Sequence, residues 1–184
     1  MAEVPRRVAL LRHPTPRIAR GRCYGRLDIP LRAQATAETA AMAARLDGFG
    51  GASVWTSPRL RCRIPAHAIA AFLGSAPPRI APALRELDFG AWEGRAWDAI
   101  GRAPIDAWAA DLLHAAPHGG ETGAALIARV RGFWDALPPG AHVLVTHGGP
   151  LKILASLAAG RPIDLAAPAP PYASVLITDA ADTR

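Results

Sequence analysis

A chain of 184 residues, 51% hydrophobic with much of that alanine, can form one domain with a true core and bury about two-thirds of its unfolded surface. Its formal charge of +6 would suit nucleic acid or an anionic surface. The cations, however, fall in separate groups (Arg12, Arg17, Arg20, Arg22 and Arg26, then Arg59, Arg61 and Arg63) without interleaved aromatics, a pattern that sets nucleic acid aside in favour of a small anionic substrate.

Cys23 and Cys62 lack metal-type or framework spacing, so neither a disulfide scaffold nor a metal site is expected. No stretch approaches the ~20 apolar residues of a membrane span. The short apolar run behind Arg6 and Arg7 is cut by Arg12 before it could act as a signal segment, so no membrane partner and a cytoplasmic setting are expected. Glycine and proline are spread through the chain without a linker or repeat, which predicts a single domain over 1–184.

Val8-Ala9-Leu10-Leu11 is apolar without alternation, as in a strand buried on both faces, and it ends in Arg12-His13. Strands of that kind present ligand chemistry at their carboxyl ends. Prolines and glycines between Pro14 and Pro30 predict a loop over that end, residues 13–31. Ala33 to Leu46 reads as a helix stopped by Gly48, and Ser53 to Thr56 as a second strand. Ser57-Pro58 then reads as an N-cap and first helical residue, opening a helix distorted at Pro65.

Arg79-Ile80 is a short strand, and the irregular segment Leu84 to Gly94 follows. A helical region is predicted around Ile105 to His114 within a small lid-like insert, 97–117, and an amphipathic helix over Thr122 to Leu137. Val143-Leu144-Val145-Thr146-His147 repeats the first strand's pattern, again delivering a histidine, and Gly148-Gly149 lets the backbone approach a ligand. A helix beginning near Pro150 and a last strand over Ala173 to Thr178 complete an α/β three-layer sandwich with a mostly parallel central sheet. His67, His114, His118 and His142 lack the strand-end setting and are expected at the surface or in caps. Trp92 and Trp97 are expected to pack rather than stack on a ligand.

Arg12 beside His13, an arginine in the first turn of the Ser57 helix, His147 and a carboxylate in the acidic loop supply a nucleophile, anion donors and an acid. On residues alone, Arg59 or Arg63 could stand in for Arg61, and Asp88 for Glu86.

The ordered elements Leu11-Arg12-His13, Ser57-Pro58-Arg59-Leu60-Arg61, Leu84 to Gly94, Gly119-Gly120-Glu121 and Thr146-His147-Gly148-Gly149 resemble the R-H-G, S-P-L-x-R, L-R-E-x-x-F-G-x-W-E-G, G-G-E and T-H-G-G elements of the histidine phosphatase superfamily, the phosphoglycerate-mutase-like proteins. Pro14 stands where the common signature has glycine. Cys23 to Leu31 is similar to the C-Y-G-x-x-D-x-P-L form of the α-ribazole phosphatase-like branch, active late in cobalamin assembly.

The resemblance implies a phosphoglycerate-mutase-like fold and a cofactor-independent phosphomonoesterase. In that role His13 is the phosphorylated nucleophile, Glu86 the proton donor, and Arg12, Arg61 and His147 the phosphate ligands. Thr15, Tyr24, Gly25 and Gly148 line the substrate pocket, and Glu93 and Glu121 hold loops or cap helices. The implied partner is a small phosphate monoester such as α-ribazole 5'-phosphate. No metal is called for, because the arginines take over the charge role. A homodimer is compatible with the sequence, which sets no oligomeric state. Two other readings are a phosphoglycerate mutase, disfavoured by the modest insert, and a non-catalytic phospho-ligand or nucleic-acid binding module, suggested by the basic charge and by Pro14.

Overall fold

The computed structural model describes residues 6–180. Five strands form one sheet: β1 (Arg6–Arg12), β2 (Ser53–Thr56), β3 (Arg79–Ile80), β4 (Ala141–Thr146) and β5 (Val175–Ala180), in spatial order β3-β2-β4-β1-β5. β1, β2, β3 and β4 run parallel, and β5 joins β1 antiparallel at the edge. Five helices accompany them: α1 (Ala35–Ala43), α2 (Leu60–Phe72), α3 (Arg102–Ala110), α4 (Gly123–Asp135) and α5 (Gly148–Ala158). None is long and apolar enough to cross a membrane among the described residues.

The unbroken apolar runs of β1 and β4 have a direct cause. Ala9, Leu11, Val143 and Val145 face one core with Met42, Phe49, Cys62 and Ile69 from the α1–α2 side. Val8, Leu10 and Leu144 face a second core with Leu126, Val130, Trp134, Leu151 and Leu154 from the α4–α5 side. With helices on both faces, successive residues are buried whichever way they point. A third, smaller cluster of Cys23, Trp92 and Ile100, flanked by Phe89, Trp97, Ile105 and Trp108, seats the segment that carries α3.

Three expectations need correction. Ser57 does not cap a helix: its N–H continues the sheet to the Val145 carbonyl (3.1 Å), and α2 begins at Leu60 behind an extended Arg59. The orphan N–H of Leu60 is met instead by Asp28 Oδ1 from the β1 loop (2.8 Å). Pro65 lies inside α2, as read. The helix of the insert lies earlier than 105–114, because Asp111 Oδ1 accepts from the N–H groups of Leu113 (3.2 Å) and His114 (3.0 Å) and turns the chain out of α3.

His67 and His114 are exposed, but His118 and His142 are buried. His142 takes the Trp55 Nε1–H (3.3 Å) and bonds the Pro138 carbonyl (2.8 Å), while His118 sits among Phe89, Trp92 and Trp108 and accepts the Gly120 N–H (3.0 Å). Both are core imidazoles held by hydrogen bonds.

Candidate active site

Parallel pairing of β1 with β4 sets Arg12 opposite Thr146, so the next residues of the two strands, His13 and His147, emerge side by side with ring centroids 5.1 Å apart. The His13 N–H extends the ladder to the Thr146 carbonyl (3.0 Å). His13 Nδ1 lies 2.7 Å from the carbonyl of Pro14. A carbonyl only accepts, so Nδ1 carries the proton and Nε2 keeps its lone pair. Proline in place of the signature glycine removes an N–H but keeps the carbonyl that sets this tautomer. Burial, then the nearby Arg61 and Arg12 charges, hold the His13 pKa well below the usual imidazole range against the opposing pull of the Pro14 carbonyl. The imidazole is therefore neutral, and a neutral imidazole can act as a nucleophile.

His147 is likewise held neutral by burial and then by Arg61, with smaller contributions from His13 and Arg12. It can offer phosphate an N–H rather than a full charge. Its Nε2 meets Ser57 Oγ at 2.7 Å, and the Cys62 thiol lies 3.5 Å from the same nitrogen. Three neighbouring strand ends thus supply His13, His147 and Ser57.

Arg61, in the first turn of α2, is fully buried, with Nη1 on the Leu27 carbonyl and Nη2 on the Gly25 carbonyl, both at 2.6 Å. Arg12 anchors Nη1 on the carbonyl of Pro170. Among the described residues, the buried Nε atoms of both have no hydrogen-bond partner. Two unsatisfied guanidinium donors beside a neutral histidine are a setting that an anion completes.

Glu86 turns its carboxylate onto the start of α5, where Oε1 and Oε2 lie 3.2 and 3.1 Å from the Gly149 N–H, and Oε1 also takes the Leu87 N–H (2.9 Å). A Cβ at position 149 would stand 2.4 Å from Glu86 Oε1 and push the carboxylate aside, so glycine keeps it where it is. The Glu86 carbonyl is gripped by Arg26 Nε (3.0 Å) and Arg129 Nη2 (3.1 Å), and Glu121 bridges these two arginines at 3.3 and 2.6 Å. Glu93 gathers the N–H groups of Gly25, Arg26, Leu27 and Phe89, tying the β1 loop to the acidic segment.

Arg12, His13 and Glu86 border a cleft of about 400 Å³ whose far wall is apolar: Leu87, Phe89, Trp97, Trp108, Leu112, Leu126 and Leu165. Lys152 joins the lining, its Nζ on the carbonyls of Leu165 (2.5 Å) and Ala167 (2.9 Å), and burial lowers its pKa. A family model, Histidine phosphatase superfamily (branch 1), matches residues 8–184. The chain belongs to the histidine phosphatase superfamily. It is accordingly an enzyme of phosphatase or phosphoryl-transfer type.

No curated protein matches it. Among solved structures it is similar to a mycobacterial glucosyl-3-phosphoglycerate phosphatase (27% identity, TM-score 0.79, covering 94% of this chain and 89% of that one). It is similar also to TTHB049 from Thermus thermophilus (29%, TM-score 0.74, 94% and 93%) and to mycobacterial hydrolase 2 (26%, TM-score 0.80, 94% and 81%).

Within this histidine phosphatase site, Arg12, His13, Tyr24, Glu86 and Gly148 line the cleft. Arg61 and His147 do not line it but are buried next to residues that do, His147 against His13 and Arg61 against the Tyr24 ring, and the Gly25 carbonyl holds Arg61. Thr15 does not reach the cleft: Glu38 takes its N–H and its hydroxyl, both at 2.7 Å, and it borders a separate cavity. Asp88 is spent on the Gly90 N–H (2.9 Å). Trp97, expected only to pack, faces the cleft together with Trp108. Ser57, Arg129 and Tyr172 were not legible as site residues; the Ser57-Pro58 pair carries a stronger local signal for a cap.

Proposed function

We propose that the protein is a phosphomonoesterase that works through a phosphohistidine at His13. The observation that carries the reading is a neutral His13 with its Nδ1–H on the Pro14 carbonyl, beside two guanidiniums with unpartnered donors.

His13 Nε2 attacks phosphorus as the bond to the leaving oxygen breaks, and Glu86 gives its proton to that oxygen. Glu86 then takes a proton from water, whose oxygen attacks phosphorus as the P–N bond breaks, releasing phosphate and restoring both groups. Arg12, Arg61 and the His147 N–H stabilise charge on the equatorial oxygens. The arginines take the role of a metal, so turnover proceeds without added cofactor. The short insert around α3 supplies no long lid to seal the intermediate in during turnover, which favours hydrolysis over a mutase reaction.

The substrate supported best is a small cytoplasmic monoester with an apolar or aromatic body, such as α-ribazole 5'-phosphate. The branch-like loop from Cys23 to Leu31 and the aromatic cleft wall both favour it.

p-Nitrophenyl phosphate assayed with EDTA is expected to be hydrolysed, with a burst of acid-labile phosphoenzyme, and His13→Ala to lose at least about 10³-fold in kcat. Activity surviving in His13→Ala would overturn the mechanism. A higher kcat/KM on glucosyl-3-phosphoglycerate than on α-ribazole 5'-phosphate would overturn the substrate.

A further inference from the structure

The phosphate end of the cleft is shut. His13 is 1% exposed and Arg61 0%, although a phosphoryl group has to reach both. Two tyrosines cover them. The Tyr172 ring lies 4.1 Å from the guanidinium carbon of Arg12 and is tilted 37° to His13, with centroids 5.4 Å apart. The Tyr24 ring lies 5.3 Å from the guanidinium carbon of Arg61. The two hydroxyls, from segments 148 residues apart, meet at 2.5 Å.

The two sides of this contact are anchored differently. Tyr24 is flanked by Cys23, which is fully buried and whose N–H donates to the Arg95 carbonyl (2.8 Å), and by Gly25, whose N–H goes to Glu93 (3.1 Å). Tyr172 is 37% exposed and precedes Ala173, whose φ of 56° is a left-handed conformation that alanine seldom adopts. The Ala173 N–H is tied to the carbonyl of His13 itself (3.2 Å). Behind the pair is a second cavity of about 360 Å³, and Arg22, Tyr24 and Tyr172 border both spaces. The paired rings are a partition with room on either side.

We propose that Tyr24 and Tyr172 form a hydroxyl-locked gate over the phosphate site, in which Tyr172 is the moving leaf that swings toward the second cavity to admit a phosphoryl group to His13. What passes through the gate rests on the phosphatase reading; the gate itself does not. Burial and the Tyr172 hydroxyl push the Tyr24 phenol well above its ordinary range, so the lock is a hydrogen bond between two neutral phenols rather than one to a phenolate. A phosphate's charge-assisted bonds to Arg12 and Arg61 are stronger than a neutral hydroxyl pair, so the arriving anion stabilises the open form.

Diethyl pyrocarbonate labelling of the full chain, read residue by residue by mass spectrometry, tests this without relying on turnover. Exposed His67 is the internal reference, and buried His118 and His142 report global loosening. Tyr172→Phe and Tyr24→Phe keep the rings and remove the lock; each is expected to raise the His13 labelling rate about three- to tenfold with His67 unchanged. Tyr172→Ala is expected to raise it further, and saturating inorganic phosphate to protect His13. Unchanged His13 labelling in all three variants would overturn the gate, as would equal acceleration at His118 and His142. Acceleration without phosphate protection would leave the gate standing and count against the phosphatase reading.

Discussion

At the end of the cleft proposed to take phosphate, His13, His147 and Ser57 stand on the ends of adjacent central strands, and Arg61 on the first turn of the helix behind them, all buried. At the end proposed to take the leaving group, Phe89 comes from an irregular segment, Trp97 from a single 3-10 turn (Trp97–Ala99), and Trp108 from α3, which has no fully buried residue. Strand ends held by ladders on both sides fix reacting atoms to a fraction of an ångström. A half-buried insert can change its side chains without disturbing the sheet. In the proposed reaction, chemistry therefore sits on the rigid frame, and selectivity on the part with least holding it.

The sharpest way to break this division is Gly149→Ala, which puts a Cβ against the Glu86 carboxylate. Displacing the proposed acid should lower kcat by about 10²–10⁴ in steady-state assays while leaving KM within a few-fold. Folding stability should divide the same way. Leu144→Ala, in the core beneath the strand ends, should cost about 2–5 kcal/mol in urea denaturation, and Trp108→Ala, half-buried in the insert, clearly less.

Ser57→Ala removes the hydroxyl that orients His147 and should lower kcat/KM about tenfold, near the worth of one buried hydrogen bond. Trp108→Ala should raise KM for aryl phosphates roughly fivefold, spare small alkyl phosphates and leave kcat nearly unchanged. A uniform fall in kcat across both classes would show that the insert serves chemistry as well as selection.

The smallest effect separates the two ends by pH. His13 and His147 have pKa values held below 6.5, so below pH 6.5 the folded protein binds fewer protons than the unfolded chain. Their contribution to stability is complete above pH 6.5 and declines as pH falls, by up to about 1.4 kcal/mol per pH unit for each histidine. Urea midpoints at pH 7.5 and 5.5 should show a smaller acid loss in His147→Gln than in the parent chain. For the same reason the acid limb of kcat/KM due to His13 should lie below pH 6.5, and a midpoint at 6.5 would contradict a buried neutral nucleophile.

Much of the frame could be read from local pattern. The runs Val8–Leu11 and Val143–Val145 record burial on both faces, and Ser53–Thr56 and Arg79–Ile80 are the observed strands. Arg61 and Glu86 needed the family motifs to be chosen over Arg59, Arg63 and Asp88, because residue type and helical or extended spacing serve all of them equally. Ser57-Pro58 misled for a physical reason: a serine before proline has the local chemistry of a cap, and only the sheet offers its hydroxyl a histidine 90 residues away.

The sequence by itself determined that two buried strands end in histidines, since that depends only on neighbours along the chain. Tertiary structure alone decided what those histidines meet. The order β2-β4-β1 brings Ser57 to His147 and His147 to His13, the fold back from α5 to β5 lays Tyr172 over Arg12, and α4 carries Arg129 to the Glu86 carbonyl. Such pairings are set by strand order and crossover path. Hydrophobic period and capping chemistry, which act within a few residues, cannot encode them.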